Sequence, residues 1–439
     1  MPLFEYPELA FAQLALLVVS GIWLLRRNDE IPLLISSFMF YVASYRYWAV
    51  TSGINKWINL SQLGLAPVTT DTALRALAYI VFGQICLLAT YMLRQRNILS
   101  LIAPTGDYSF LQWLRPKVIL FGLFCLPLVV IARSSVIAQA RAGRSLAFEI
   151  SGYLRLFPLV LIGIATLILC VWKFGGLASL QKKIAAIAIL SGVAYFTFSS
   201  SGRFQFLGWI VASAVILSSS YRLKTRLVVL ASVAVLGMSM FALAGAMRSP
   251  ELAGDALNQA TWERSISAED ANMLDGFAIL QSVYPQHLDF SWGMEHLEIL
   301  MRPIPRAWWP EKPVGGGYML QFGLSNPNKG STLGFAPSLF GSFYAEGGII
   351  GIFFFSLLYG VILAAVVRYS TRLQPFASLL VRAILCACLI PLLRGGDLPG
   401  IYAWICMAFW PCFLLLWIKR SELRLRFSSS DCVHILPRC

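Results

Sequence analysis

"AEGGIIGIFFFSLLYGVILAAVV", residues 345–367, carries one charged side chain, Glu346, at its front and none behind it. A hydrocarbon core about 30 Å thick is crossed by roughly 20 apolar residues in a helix. The stretch is long enough to cross once, and it sets the class of the chain: an all-α polytopic membrane protein. Composition agrees, since 58% of the 439 residues are hydrophobic and 13% charged, whereas soluble domains are about half apolar and a quarter charged.

The same template finds further runs near 7–25, 31–50, 73–93, 118–135, 153–172, 184–200, 203–219, 226–246, 376–393 and 399–418, so about eleven membrane-spanning helices are expected. Only Ser199-Ser200-Ser201-Gly202 separates the sixth run from the seventh. The first run follows Glu5 and Glu8, with no basic leader and no small-residue cleavage pattern, and is read as a retained span.

Cations gather in alternate loops: Arg26 and Arg27; Arg94, Arg96, Arg115 and Lys117; Lys173, Lys182 and Lys183; Arg222, Lys224 and Arg226; Arg368 and Arg372; and the tail. Loops rich in Lys and Arg stay in the cytoplasm, which puts the N-terminus outside and the C-terminus inside. The chain then divides into eight spans (1–246), a long loop on the outer face (247–338), three spans (339–418) and a basic cytoplasmic tail (419–439). The net charge of +14 is thereby assigned to membrane anchoring, and nucleic acid is not an expected partner.

The nine cysteines lie in apolar runs or in the tail, without a C-x-x-C pair, so neither a disulfide framework nor a zinc site is expected. The cytoplasmic loops carry no G-x-G-x-x-G turn, P-loop or D-x-D triplet. No cofactor or metal is expected, and any chemistry belongs on the outer face.

In the long loop, Ser267-Ala268-Glu269-Asp270 reads as a capped helix start, with Met273, Leu274, Phe277 and Leu280 on one face. A second helix is expected from Ser291, packed through Met294, Leu297, Ile299 and Leu300. It leads into "RPIPRAWWPEKP" (302–313), whose four prolines favour an extended path. Four of the loop's six cations fall late, at Arg302, Arg306, Lys312 and Lys329. Further outer-face cations are Arg141 and Arg144 in the loop 136–152, Arg203 beside the serine break, and Arg394 in "RGGD" (394–397).

Cations beside lipid are costly, and guanidinium matches phosphate oxygens with paired hydrogen bonds. Together these residues would hold a diphosphate at the membrane surface. Trp308 and Trp309 are either interfacial belt residues or a platform for the apolar face of a sugar. The plain alternative for each arginine is snorkelling to headgroups or pairing with a nearby carboxylate.

"RPIPRAWWPEKP" followed by "GFAPSLFGSFYAEGGIIGI" (334–352) resembles the Wzy-type O-antigen polymerases, which often show P-R-x-x-W-P-x-K-P and later G-E-x-Y-x-N-x-G. "SSGRF" (200–204) and "RGGD" are similar to that family's Gly-Arg and Arg-Gly elements. Ser342 stands where the pattern often has Glu, and Glu346 where it often has Asn. Tyr344 falls on the pattern's tyrosine and is carried over as a substrate-binding position.

The resemblance implies an inner-membrane glycosyltransferase acting on undecaprenyl-diphosphate-linked glycans at the periplasmic face, with membrane lipid and a chain-length regulator protein as further partners. A ligase using the same donor and a flippase of lipid-linked glycans are the alternatives.

Such a transfer needs cations on the leaving diphosphate and a base for the attacking hydroxyl. Arg203, Arg302, Arg306 and Arg394 are expected in the first role, with Arg141 and Arg144 steering the headgroup and Lys312 beside them. Of the outer-face histidines, His287 and His296, the base is placed at His296, with Glu346 and Asp397 as alternatives near membrane boundaries.

Overall fold

The structure, a computed structural model, describes residues 7–59, 65–95, 109–141, 156–175, 177, 179–197, 203–247, 254–268, 271–302, 304, 308–309, 325–326, 331–332 and 336–423. It is all-α apart from a two-residue antiparallel pairing of Ser325–Asn326 with Ser331–Thr332. In chain order the helices are α1 (Pro7–Arg27), α2 (Ile31–Met39), α3 (Arg46–Thr51), α4 (Thr70–Gln95), α5 (Ser109–Arg141), α6 (Val160–Lys173), α7 (Leu180–Thr197), α8 (Arg203–Ser218) and α9 (Leu223–Ala246). Then come α10 (Gly254–Ser267), α11 (Met273–Val283), α12 (Met294–Met301), α13 (Ser338–Ser370), α14 (Pro375–Arg394), α15 (Leu398–Ile418) and α16 (Arg420–Leu423).

Among the described residues, seven helices are long and apolar enough to cross a membrane: α1, α4, the middle of α5, α9, α13, α14 and α15. The other four expected spans are helical but shorter or interrupted. The run 31–50 becomes α2 and α3 with a π turn, Phe40–Tyr45, between them, a local widening that sequence periodicity does not announce. α6 and α8 have 14 and 16 residues, and α7 opens on Lys182 and Lys183. α5 runs to Arg141, beyond the expected end at 135.

Two apolar cores hold the bundle. One joins α2, α4, α11 and α13; the other joins α5 to α8 with α14 and α15. Buried charge pins both ends. At one end Glu30, just before α2, meets Arg226 of α9 at 2.8 Å and Arg382 of α14 at 2.5 Å. Asp29 beside it accepts from Trp23 of α1 and Tyr91 of α4. The end of α1, the end of α4 and the starts of α2, α9 and α14 therefore share one end of the bundle.

At the other end α3 holds the loop helix α11. Arg46 donates to both carboxylate oxygens of Asp275, at 3.1 and 2.7 Å, and to the carbonyls of Lys56 and Ala268. This clamp fastens the long loop to the bundle, and α11 buries Met273, Leu274, Phe277 and Leu280 as its spacing predicts.

The loop departs from the sequence reading in three places. Ser267 closes α10 instead of capping α11, whose N-cap is Asn272; Glu269 and Asp270 lie outside the described residues. The second helix begins at Met294, because the Ser291 and Trp292 amides donate instead to the carbonyls of Ala345 and Glu346. Of the positions expected to pack inward, Ile299 packs against the core, but Met294, Leu297 and Leu300 are exposed, and Glu295 is the buried residue of α12.

Candidate functional site

Three segments meet at the end of the bundle that α11 covers. The first is α12. The second is a break in α13, where Gly347 and Gly348 leave helical geometry (φ 176°, ψ 27° and φ 62°, ψ −142°). A positive φ at Gly348 is open to glycine at little cost. The helix thus turns at the residue after Glu346 and restarts as a lipid-length segment.

The third segment is the turn Arg394–Asp397 between α14 and α15. Gly395 pairs with Ser338 across the N-terminus of α13, and with φ 68° and no Cβ it sits where a side chain would collide with the Ser338 carbonyl oxygen. Gly396 N–H donates to Ser342 Oγ at 3.0 Å. Ser342, where the resembled motif often has glutamate, thereby ties two site segments together. Asp397 caps α15 by accepting from Gly400 N–H at 2.9 Å.

These segments bring two of the three residues expected to be catalytic, His296 and Glu346, into contact, while Asp397 is tied to them through Arg302, Glu295 and Glu298. His296 Nδ1 lies 2.5 Å from Glu346 Oε1, at ion-pair distance without the alignment of an N–H hydrogen bond. Its ring stacks on Phe355 of α13, centroids 4.2 Å apart and nearly parallel. On its other side Nε2 is 3.2 Å from Tyr359 Oη, which accepts from Tyr402 Oη at 3.0 Å. Tyr402 stands in the second turn of α15, so this chain links all three segments. Asp397 meets Arg302, just beyond α12, at 3.5 Å.

The electrostatics favour proton transfer. Burial first, then the charges of Glu346, Asp397 and Glu298, hold the Glu295 carboxyl well above its ordinary value. Glu298 is raised by burial and by Asp397, against the pull of Arg302. Among the described residues, Glu346 Oε2, Glu295 Oε2 and Glu298 Oε2 have no hydrogen-bond partner. Carboxyls so raised hold a proton to higher pH and are the stronger bases once it is lost, a setting for proton exchange with a hydroxyl.

Glu295 gives a pH test. A carboxyl raised on folding adds stability that is fully present below its unfolded value, near 4.5, and is lost as pH rises through the higher folded value. Glu295→Gln is expected to flatten that alkaline loss of thermal stability. Parallel stability-against-pH curves for the two proteins would show that Glu295 does not carry the charge burden.

The expected cations are placed unevenly. Arg302 is in the cluster. Arg394 lies at its edge with its guanidinium 4.7 Å from the centre of the Phe204 ring. The side chains of Arg141 and Arg203 lie outside the described residues, although α5 ends at the first and α8 begins at the second; Arg144, Arg306 and Lys312 lie wholly outside them. Trp308 is exposed and Trp309 half-buried. Tyr344 packs among Tyr79, Phe277 and Phe290.

Tyr359 and Tyr402 were not anticipated, since a tyrosine inside an apolar run reads as lipid contact. The available signal was the i, i+4 spacing of Phe355 and Tyr359 below Glu346. No known protein family, curated protein or solved structure matches this chain. The functional reading therefore rests on the geometry of this cluster and on the motif resemblance.

Proposed function

We propose that the protein is a membrane glycosyltransferase that polymerises undecaprenyl-diphosphate-linked oligosaccharide repeat units on the periplasmic face of the inner membrane. The observation that carries this reading is the contact of His296 with Glu346 across distant segments, with the Arg302–Asp397 pair linked to it through the Glu295 and Glu298 carboxyls. The eleven-span topology with an external N-terminus belongs to the same proposal, because it sets this end of the bundle in the periplasm.

In the reaction an acceptor hydroxyl oxygen attacks C1 of the donor sugar, and the bond from C1 to the diphosphate oxygen breaks. The hydroxyl proton passes to a base at the His296–Glu346 pair, and the lipid diphosphate leaves with the bonding electrons. Arg302 and Arg394, with Arg203 and Arg306, neutralise that charge. Two of the three cations inside the spans favour catalysis over transport: Arg46 and Arg382 are engaged by Asp275 and by Glu30, while the third, Arg75, is exposed.

The test is purified protein in nanodiscs with lipid-linked repeat units. A ladder of lengthening glycans is expected. A single transfer to lipid A core would replace this reading with a ligase, movement across the bilayer without bond formation with a flippase, and unchanged substrate would overturn it.

A further inference from the structure

α12 is two-faced. Glu295, Glu298 and Arg302 follow one another at helical spacing and turn toward α15 and the carboxylate cluster. Met294, Leu297 and Leu300 occupy the opposite side, exposed by 44, 48 and 76%. Apolar surface left in water costs about 25 cal/mol per Å², and this side carries only large apolar groups. A face so composed is suited to a solvent that is not water.

The depth of α12 identifies that solvent. From the break at Gly348 to Arg368 the restarted α13 is roughly 30 Å long at ~1.5 Å per residue, one hydrocarbon core. A bilayer matched to this length has one boundary at the break and the other at Arg368. His296 stacks on Phe355 and reaches Tyr359, which lie roughly 10 and 16 Å along the helix from that break. α12 is thus held below the membrane boundary, its His296 contacts lying between about one third and one half of the way along the span. The neighbouring surface of α13, at Ile350 and Phe354, is exposed and apolar as a lipid-facing surface must be.

We infer that α12 is inserted in the lipid leaflet at this end of the bundle, with Met294, Leu297 and Leu300 against acyl chains and Glu295, His296 and Arg302 turned into the protein. The loop that composition assigns to the aqueous side dips back into the membrane, an arrangement open to a helix whose polar face is covered by protein. The site then reaches from the membrane boundary at Glu346 down into the acyl region and borders lipid sideways. This placement does not depend on which reaction the site performs.

The test uses the full chain with a benzophenone amino acid in place of Leu300, reconstituted in vesicles of phosphatidylethanolamine and phosphatidylglycerol and irradiated. Mass spectrometry is expected to find phospholipid attached to the α12 peptide, severalfold more than with the same probe at the exposed Gln259 of α10. Leu297 supplies a second probe position if the first variant fails to fold. Attachment to another segment of the chain, attachment to a second copy, or a lipid yield no higher than at Gln259 would overturn the insertion.

Discussion

Asp275→Ala is expected to destabilise the protein by about 3–5 kcal/mol, because it leaves the Arg46 guanidinium buried without its counter-charge. Arg46 is 2% and Asp275 0% exposed, so water is not at hand to replace the carboxylate. The remaining acceptors are the Lys56, Ser267 and Ala268 carbonyls, which solvate a cation only in part. The Ile58 amide also loses the acceptor that it meets at 3.0 Å. Arg46→Met with Asp275→Leu is expected to recover most of the loss, since apolar groups of similar volume often match a buried pair. Denaturation in detergent of the wild type, Arg46→Met, Asp275→Leu and the double variant gives the coupling directly. A loss under about 1 kcal/mol for Asp275→Ala would mean that packing alone holds α11.

This clamp shows where the sequence was legible and where it was not. The long helices could be read because apolar length is itself the physical requirement for crossing a membrane. The spacing of Met273, Leu274, Phe277 and Leu280 gave α11 for the same reason. Its tie to α3 could not be read: Arg46 and Asp275 are 229 positions apart, and each alone is an ordinary charge near a span. The break at Gly347 and Gly348 was hidden for a different reason. Two glycines in an apolar run scarcely lower its hydropathy, while their dihedrals redirect the chain.

The site was legible as chemistry and illegible as geometry. His296, Glu346 and Asp397 could be named because few ionisable groups stand on that side of the bundle. That two of them touch follows from the turn after Glu346 and the backbone pairing of Ser291 and Trp292 with it. Three of the four apolar positions of α12, Met294, Leu297 and Leu300, face outward against the expectation that apolar residues pack inward. That assumption is sound in water and fails where the surroundings are lipid.

His296→Ala is expected to lower the rate of chain extension by about 10²–10⁴-fold, the range for a positioned general base, with little change in KM. Glu346→Gln keeps the shape and removes the charge that faces Nδ1, so it is expected to fall in the same range. The double variant should be scarcely worse than either, since residues that act as a unit do not add. Tyr359→Phe removes only the hydroxyl beside Nε2 and should cost less, while changing the pH dependence of kcat. A structural role would look different: the stacking of His296 on Phe355 would make His296→Ala lose melting temperature and rate together, and His296→Gln would restore both. Full extension rate in a well-folded His296→Ala protein would remove the histidine from the chemistry and leave the partnerless oxygens of Glu346 and Glu295 as the candidate bases.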